Sequence, residues 1–385
     1  MVLKVAKRGM IPSFVVMDVL QAANKRQSDC GDVLHLELGQ PASPAPQNVI
    51  EAARSKLLTN PIAYTEAFGL PTLREEISKW YKLRYNVDVS KNRIVVTTGS
   101  SAGFLLAFLS SFDIHDRVAM AEPGYPGYRN ILLSLGIVPV GLPVSSKTRH
   151  QLTSKMLNNL TKPLAGLIVA SPSNPTGSMI SDLVFSDIAN TCRTKGVRLI
   201  SDEIYHGITY GNSAQTALKF DDQAIVISSF SKYFSMTGWR IGWMVVPDEL
   251  IRSVECLAQN IYISAPTLSQ WGAIMAFNSC EELDLNVKRY SENRSLLLEG
   301  LSHIGFDQIA TVDGAFYLYV DVSKYTDDSF KFCKTLLNET GVAITPGIDF
   351  DTRRGEQTVR LSFSGATSDI EDAISRMANW MSRYH

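Results

Sequence analysis

Lys232 is the residue whose setting most favours covalent chemistry. It follows the apolar run Ala224–Ser228 in the order Ser229-Phe230-Ser231-Lys232. A lysine just past a buried strand, among small hydroxyl residues, is desolvated. Desolvation lowers its pKa and leaves a nucleophilic amine able to form a Schiff base. Eight residues on, Arg240 lies in Gly238-Trp239-Arg240-Ile241-Gly242-Trp243, where it can bind an anion and help keep Lys232 neutral. Asp202 and Tyr205, in Asp202-Glu203-Ile204-Tyr205-His206, are spaced so that both can face one site. Asn174, in Ser171-Pro172-Ser173-Asn174-Pro175-Thr176-Gly177, offers an amide to a ligand oxygen. Thr98-Gly99-Ser100-Ser101-Ala102-Gly103 leads into an apolar helix beginning at Phe104. Small residues ahead of a helix N-terminus leave backbone N–H groups free to cradle a phosphate.

Two rival chemistries share these residues. Gly99-Ser100-Ser101-Ala102-Gly103 also matches G-x-S-x-G, a strand–turn–helix nucleophile elbow that would make Ser101 the nucleophile of a serine hydrolase. His206 and His303 are the candidate bases, and neither sits in a recognisable acid–histidine setting. Asp202, Glu203 and His206 suggest a metal, but no H-E-x-x-H motif and no second nearby histidine support one.

These residues need elements to hold them at one place. Strands are expected over Arg93–Thr97, Val118–Ala121, Val138–Leu142, Leu167–Ala170, Arg198–Ser201, Ala224–Ser228 and Arg240–Val245. Runs such as Leu167–Ala170 and Ile225–Ile227 are apolar on both faces, as in a mostly parallel sheet covered by helices. Between strands, Val184, Ile188 and Cys192 form one helical face, Ser181 stands where an N-cap belongs and Gly196 where a helix stops. This βαβ pattern spans residues 46–280. Residues 281–385 read as a smaller α+β domain, with helices over Glu281–His303 and Asp328–Glu339 and strands over Phe316–Val320, Val342–Thr345 and Thr358–Ser362. Residues 1–45 hold one amphipathic helix, Ser13–Arg26, and form either an arm or part of the small domain. Ligands of an open parallel sheet bind beyond the carboxyl ends of its strands, where every residue of the first paragraph falls.

Composition narrows the class. Of 385 residues, 45% are hydrophobic and 19% charged, so the chain forms a core. Lys plus Arg number 37 against 38 Asp plus Glu, which gives no basic excess for a nucleic acid. Five cysteines, at 30, 192, 256, 280 and 333, are odd in number, widely spaced and without C-x-x-C. They suit a reducing compartment, and a cytoplasmic location is expected. No apolar run approaches the ~20 residues of a membrane span, and Pro12, Ser13 and Asp18 break the only stretch that could be a signal sequence.

A lysine, a carboxylate, a phenol, an amide, an arginine and an anion cradle along one sheet edge meet the needs of pyridoxal 5′-phosphate. In order and spacing they also make the chain resemble a class I/II aminotransferase of pyridoxal-phosphate fold type I. Leu38-Gly39-Gln40-Pro41, Tyr64-Thr65, Gly69-Leu70-Pro71, Pro346-Gly347 and Val359-Arg360-Leu361-Ser362 add to the resemblance, which covers nearly the whole chain.

The resemblance implies a mostly parallel seven-stranded α/β large domain with a smaller α+β domain. It implies that Lys232 carries the cofactor and moves the Cα proton, with Asp202 on the ring nitrogen and Asn174 and Tyr205 on the ring oxygen. It places Tyr125 on the ring face, and Ser100, Ser101, Ser229 and Arg240 around the phosphate, with Tyr64 reaching over from a partner subunit of a homodimer. Arg360 would clamp the substrate α-carboxylate beside Gly39 and Asn174. The implied activity is ping-pong transfer of an amino group from an L-amino acid to a 2-oxo acid. The same residues also serve C–S lyases and related eliminations. In some aspartate-using relatives a lysine occupies the cradle position held here by Ser101. Ile11, Phe14, Phe68 and Tyr128 are candidates for an apolar substrate wall.

Overall fold

The computed structural model describes residues 3–384. Among the described residues there are twelve strands: β1 (Leu34–His35), β2 (Ile94–Thr97), β3 (Arg117–Glu122), β4 (Val138–Pro143), β5 (Gly166–Ala170), β6 (Arg198–Asp202), β7 (Ile225–Ser229), β8 (Gly242–Val245), β9 (Tyr317–Asp321), β10 (Val342–Ala343), β11 (Thr345–Pro346) and β12 (Thr358–Ser362). Seven of them form one sheet in the order β2-β8-β7-β6-β5-β3-β4. β8 runs antiparallel to β2 and β7, and the remaining pairings are parallel. The fold is thus α/β with a mostly parallel seven-stranded sheet.

Every residue of β2, β7 and β8 is buried. Alternation of side chains sends Val96, Val226 and Val245 into one core and Val95, Ile225, Ile227 and Met244 into a second core on the opposite face. Two-sided burial explains why these strands read as unbroken apolar runs. The helix Asp182–Lys195 buries Phe185, Ile188, Ala189 and Cys192 and ends at Gly196, whose φ of 65° is left-handed. Ser181 stands at its N-cap, but its side chain makes no capping hydrogen bond.

The remaining strands make two small sheets. β11-β12-β9 is antiparallel, and β1 pairs in parallel with β10. The single strand expected over Val342–Thr345 is divided, because the two halves pair with different partners. The N-terminal helix, α1 (Val15–Cys30), starts two residues later and runs four residues further than expected, to a left-handed stop at Gly31. Arg240 lies outside β8: it adopts φ 51°, and the strand begins only at Gly242.

Candidate active site

The strand ends converge as a parallel sheet requires. Asp202 is the last residue of β6, Lys232 lies three residues past β7 and Asn174 four past β5. Because β8 runs the other way, its start brings Arg240 to the same edge. A cavity of about 560 Å³ opens there. Gly39, Ser100, Ser101, Tyr125, Asn174, Asp202, Tyr205, Lys232, Arg240 and Arg360 all line it.

Lys232 Nζ donates to the carbonyl of Gly39 at 2.7 Å. Burial, then the positive charges of Arg360 and Arg240, push its pKa down to about 8, against the pull of Asp202. Asp202 is held by two donors, the Tyr128 hydroxyl on Oδ2 and the Ile204 N–H on Oδ1. Burial nevertheless raises it to about 6. The Tyr205 hydroxyl meets that of Tyr317 at 2.8 Å.

Arg360 is 3% exposed. Its Nη1 donates to Asn174 Oδ1 at 3.0 Å, and its Nη2 to the Glu37 carbonyl and to Thr345 Oγ1. Its guanidinium lies 4.3 Å from the Tyr317 ring and 4.8 Å from the Phe350 ring. Nε has no partner among the described residues. Five donors less three bonds leave two N–H groups of a buried guanidinium for an incoming carboxylate.

The helix Ser100–Ser111 begins at Gly99, which has φ 80° and caps nothing with a side chain. A β-carbon at Gly99 would stand 2.6 Å from Arg240 Nη2. The guanidinium therefore lies beside the N-terminus of this helix, next to a glycine with positive φ. Cradle, half-buried lysine, buried carboxylate and a buried guanidinium with two unsatisfied N–H groups together fit pyridoxal phosphate and an amino-acid carboxylate.

Two expected site residues lie outside the cavity lining. The Ser229 hydroxyl is used within its own turn, donating to Ser231 Oγ at 2.9 Å, and Ser231 lines the cavity instead. Tyr64 is 80% exposed on this chain's surface. Of the apolar wall candidates, Phe14 and Tyr128 line the cavity while Ile11 and Phe68 do not, and the Tyr128 hydroxyl also donates to Asp202.

The sequence reading missed Tyr317, which touches Tyr205, Gly39 and Arg360, and Val16 and Met17, which extend the wall from Phe14. The helical spacing of Phe14 and Met17 was the available signal.

The rival residues are committed elsewhere. His206 uses Nδ1 on the Tyr85 hydroxyl and Nε2 on the Ser171 carbonyl, so it does not serve Ser101. His303 ends the helix Cys280–His303 outside the cavity. Glu203 Oε1 accepts from Thr216 Oγ1 at 3.0 Å and from the Ala217 N–H at 2.8 Å. Among the described residues no cluster of His, Cys, Asp or Glu could hold a metal, and no helix is long and apolar enough to cross a membrane.

Comparison with known proteins agrees with this geometry. The chain is 50% identical over 382 residues to the valine–pyruvate aminotransferase of Mycobacterium tuberculosis, covering 98% of each chain. It is 34% identical over 376 residues to the (5-formylfuran-3-yl)methyl phosphate transaminase of Methanocaldococcus jannaschii, covering 96% of this chain and 97% of the relative. A crystal structure of an aminotransferase from Mycobacterium tuberculosis superposes with a TM-score of 0.97 at 50% identity, covering 99% of this chain and all of that one. The family model "Aminotransferase class I and II" matches residues 31–377. By sequence along its length and by fold, the chain belongs to the class I and II aminotransferases, the pyridoxal-phosphate-dependent enzymes of fold type I.

Proposed function

We propose that this aminotransferase takes an aliphatic L-amino acid such as valine as donor and a short 2-oxo acid such as pyruvate as acceptor. The observation that carries the reading is the composition of the cavity wall. Phe14, Val16, Met17 and Leu38 line it, and Ser101 stands where a cation would favour a second carboxylate. A relative of half-identical sequence that bears the name of this reaction supports the same choice.

In this reading Arg240, Ser100, Ser101 and the Ser229 turn hold the cofactor phosphate, Tyr125 covers the ring face, and Asp202, Asn174 and Tyr205 hold the ring. Tyr64 of the partner subunit completes the phosphate site in a cytoplasmic homodimer. The high exposure of Tyr64 fits that assignment. The chain divides near residues 45 and 280, with the site between the seven-stranded sheet and the C-terminal elements.

When bound, pyridoxal phosphate supplies the aldehyde that takes up the amino group and a ring that draws electrons from the substrate Cα. The chain supplies position and proton transfer. Arg360 binds the α-carboxylate and fixes which bond at Cα faces Lys232. Lys232 Nζ, its pKa lowered by burial and two guanidinium groups, takes the Cα proton as general base and returns it as general acid. Asn174 couples the two ends of the site, because its oxygen is engaged by Arg360 and its amide nitrogen remains for a ligand.

The test is a panel of amino acids and 2-oxo acids with product stoichiometry. Parallel initial-rate lines and one new amino acid per oxo acid formed are expected, with aliphatic donors ahead of aspartate. Ammonia release without an acceptor would instead make the enzyme a lyase.

A further inference from the structure

We propose that Asp349 docks the N-terminal helix over the cavity and so positions the wall of the substrate side-chain subsite. The inference rests on the donor reading above.

α1 begins without a cap of its own. Phe14 stands at its N-cap position, where its side chain makes no capping hydrogen bond. The first amides of a helix need an acceptor. Here both come from far along the chain: the Val15 N–H donates to Asp349 Oδ1 at 3.3 Å and the Val16 N–H to Asp349 Oδ2 at 3.1 Å. Each carboxylate oxygen takes one amide, and a negative group sits at the positive end of the helix dipole. Asp349 is only 2% exposed, so this carboxylate is built into the fold.

The anchor is itself tied to the substrate clamp. The Asp349 carbonyl accepts from Arg129 Nη2 at 3.2 Å. The next residue, Phe350, lies against the Arg360 guanidinium. One short segment thus holds both the carboxylate clamp and the start of the helix that faces it.

Phe14, Val16 and Met17 are what this docking delivers to the cavity. The Phe14 ring meets Tyr125 edge-on, with centroids 5.8 Å apart. Little else holds the first turn down. Of the 16 residues of α1 only Val16 and Ala23 are buried, and Met10, just upstream, is 74% exposed. A helix with so small an apolar footprint depends on its polar anchor.

A branched aliphatic side chain buries more area against this wall than a methyl group does. Asp349 therefore acts as a positioning residue through Phe14, and its loss should show as selectivity before it shows as turnover. In the holoenzyme, Asp349→Ala is expected to raise KM for valine about ten-fold, with kcat and the KM for alanine each changed less than about two-fold. Asp349→Asn, which keeps one acceptor oxygen, should fall between. Hydrogen exchange should show the amides of Val15 and Val16 unprotected in Asp349→Ala, with those of the helix Cys280–His303 unchanged. Phe14→Ala, with Asp349 intact, should give the same valine-selective rise and keep those amides protected. If Asp349→Ala does not fold, the Asn and Phe14 variants decide the matter by the same measures. Equal KM rises for valine and alanine, or unaltered amide protection, would overturn the proposal. If the wild type uses neither amino acid, the donor reading falls and the exchange data alone decide the role of Asp349.

Discussion

The amine of Lys232 rests on the backbone carbonyl of Gly39, 2.7 Å away, and so joins the two sides of the cavity. Gly39 precedes the large sheet by more than fifty residues, and Lys232 follows its sixth strand in chain order, β7. The lysine is thereby held away from bulk solvent, with Arg360 and Arg240 as its cationic neighbours and Asp202 opposing them.

Lowering the Lys232 pKa from 10.5 to about 8 changes its availability at neutral pH. At pH 7 roughly one molecule in ten carries the free amine, against about one in three thousand for an ordinary lysine. The rate at which the apoprotein takes up pyridoxal phosphate should therefore rise with pH to a midpoint near 8. Arg360→Ala removes the larger cationic contribution and should move that midpoint upward. Lys232→Ala should abolish both the borohydride-fixable absorbance band and amino transfer. Rapid-mixing absorbance measurements across pH 6–10 check all three.

Gly39→Ala should be severe for a residue so small. A β-carbon at this position would fall within the hydroxyl of Tyr317, which is itself hydrogen-bonded to Tyr205. Tyr317 must move, and Arg360, which stacks on its ring, moves with it. The expected result is a loss of at least about ten-fold in kcat/KM, carried by KM, with cofactor content intact. Steady-state kinetics beside the holoenzyme spectrum separates the two effects.

Tyr128→Phe removes the hydroxyl that donates to Asp202 and leaves a buried carboxylate oxygen without its partner. Loss of that donor should raise the Asp202 pKa further above its present value of about 6. The acid limb of pyridoxal phosphate affinity should then shift up by about one pH unit or more. Equilibrium titration of the apoprotein between pH 5 and 8 reads the shift.

Glu203 carries a stability signature rather than a catalytic one. Burial raises its pKa from 4.5 to about 8, so the native state retains a proton that the unfolded chain has lost. Its contribution is full below pH 4.5 and drains away as pH rises toward 8, at up to about 1.4 kcal/mol per pH unit. Glu203→Gln keeps the acceptor for Thr216 and Ala217 without the titration. Urea unfolding at pH 5, 6, 7 and 8 should show a shallower decline in the variant than in the wild type.

The sheet and its edge were legible because two-sided burial writes unbroken apolar runs, and because a strand end followed by Asp, Asn or Lys stands out against them. Tyr128 was not legible in its role. It lies within the helix Pro126–Leu135, and an aromatic there reads as packing until the fold sets its hydroxyl against Asp202. Tyr317 and Asp349 were hidden for another reason, since their partners lie more than a hundred residues away. The bond of the Ser229 hydroxyl to Ser231 within its own turn was likewise invisible to motif spacing. Arg240 looked like the first residue of a strand, yet its left-handed conformation turns it across Gly99 toward the cradle.

The parallel pairing of β1 with β10 joins residues 34–35 to residues 342–343. On the ribosome, β1 emerges before the large sheet but has no strand to pair with until Val342 has been made. All seven strands of the large sheet are available about a hundred residues earlier, at Val245. The sheet can therefore assemble during translation, while α1 and the Gly39 loop that accepts from Lys232 stay undocked until the C-terminal elements arrive. A nascent chain arrested before Val342 should hold a folded sheet and an unfinished cavity, so the enzyme gains its activity only after Val342 has been made.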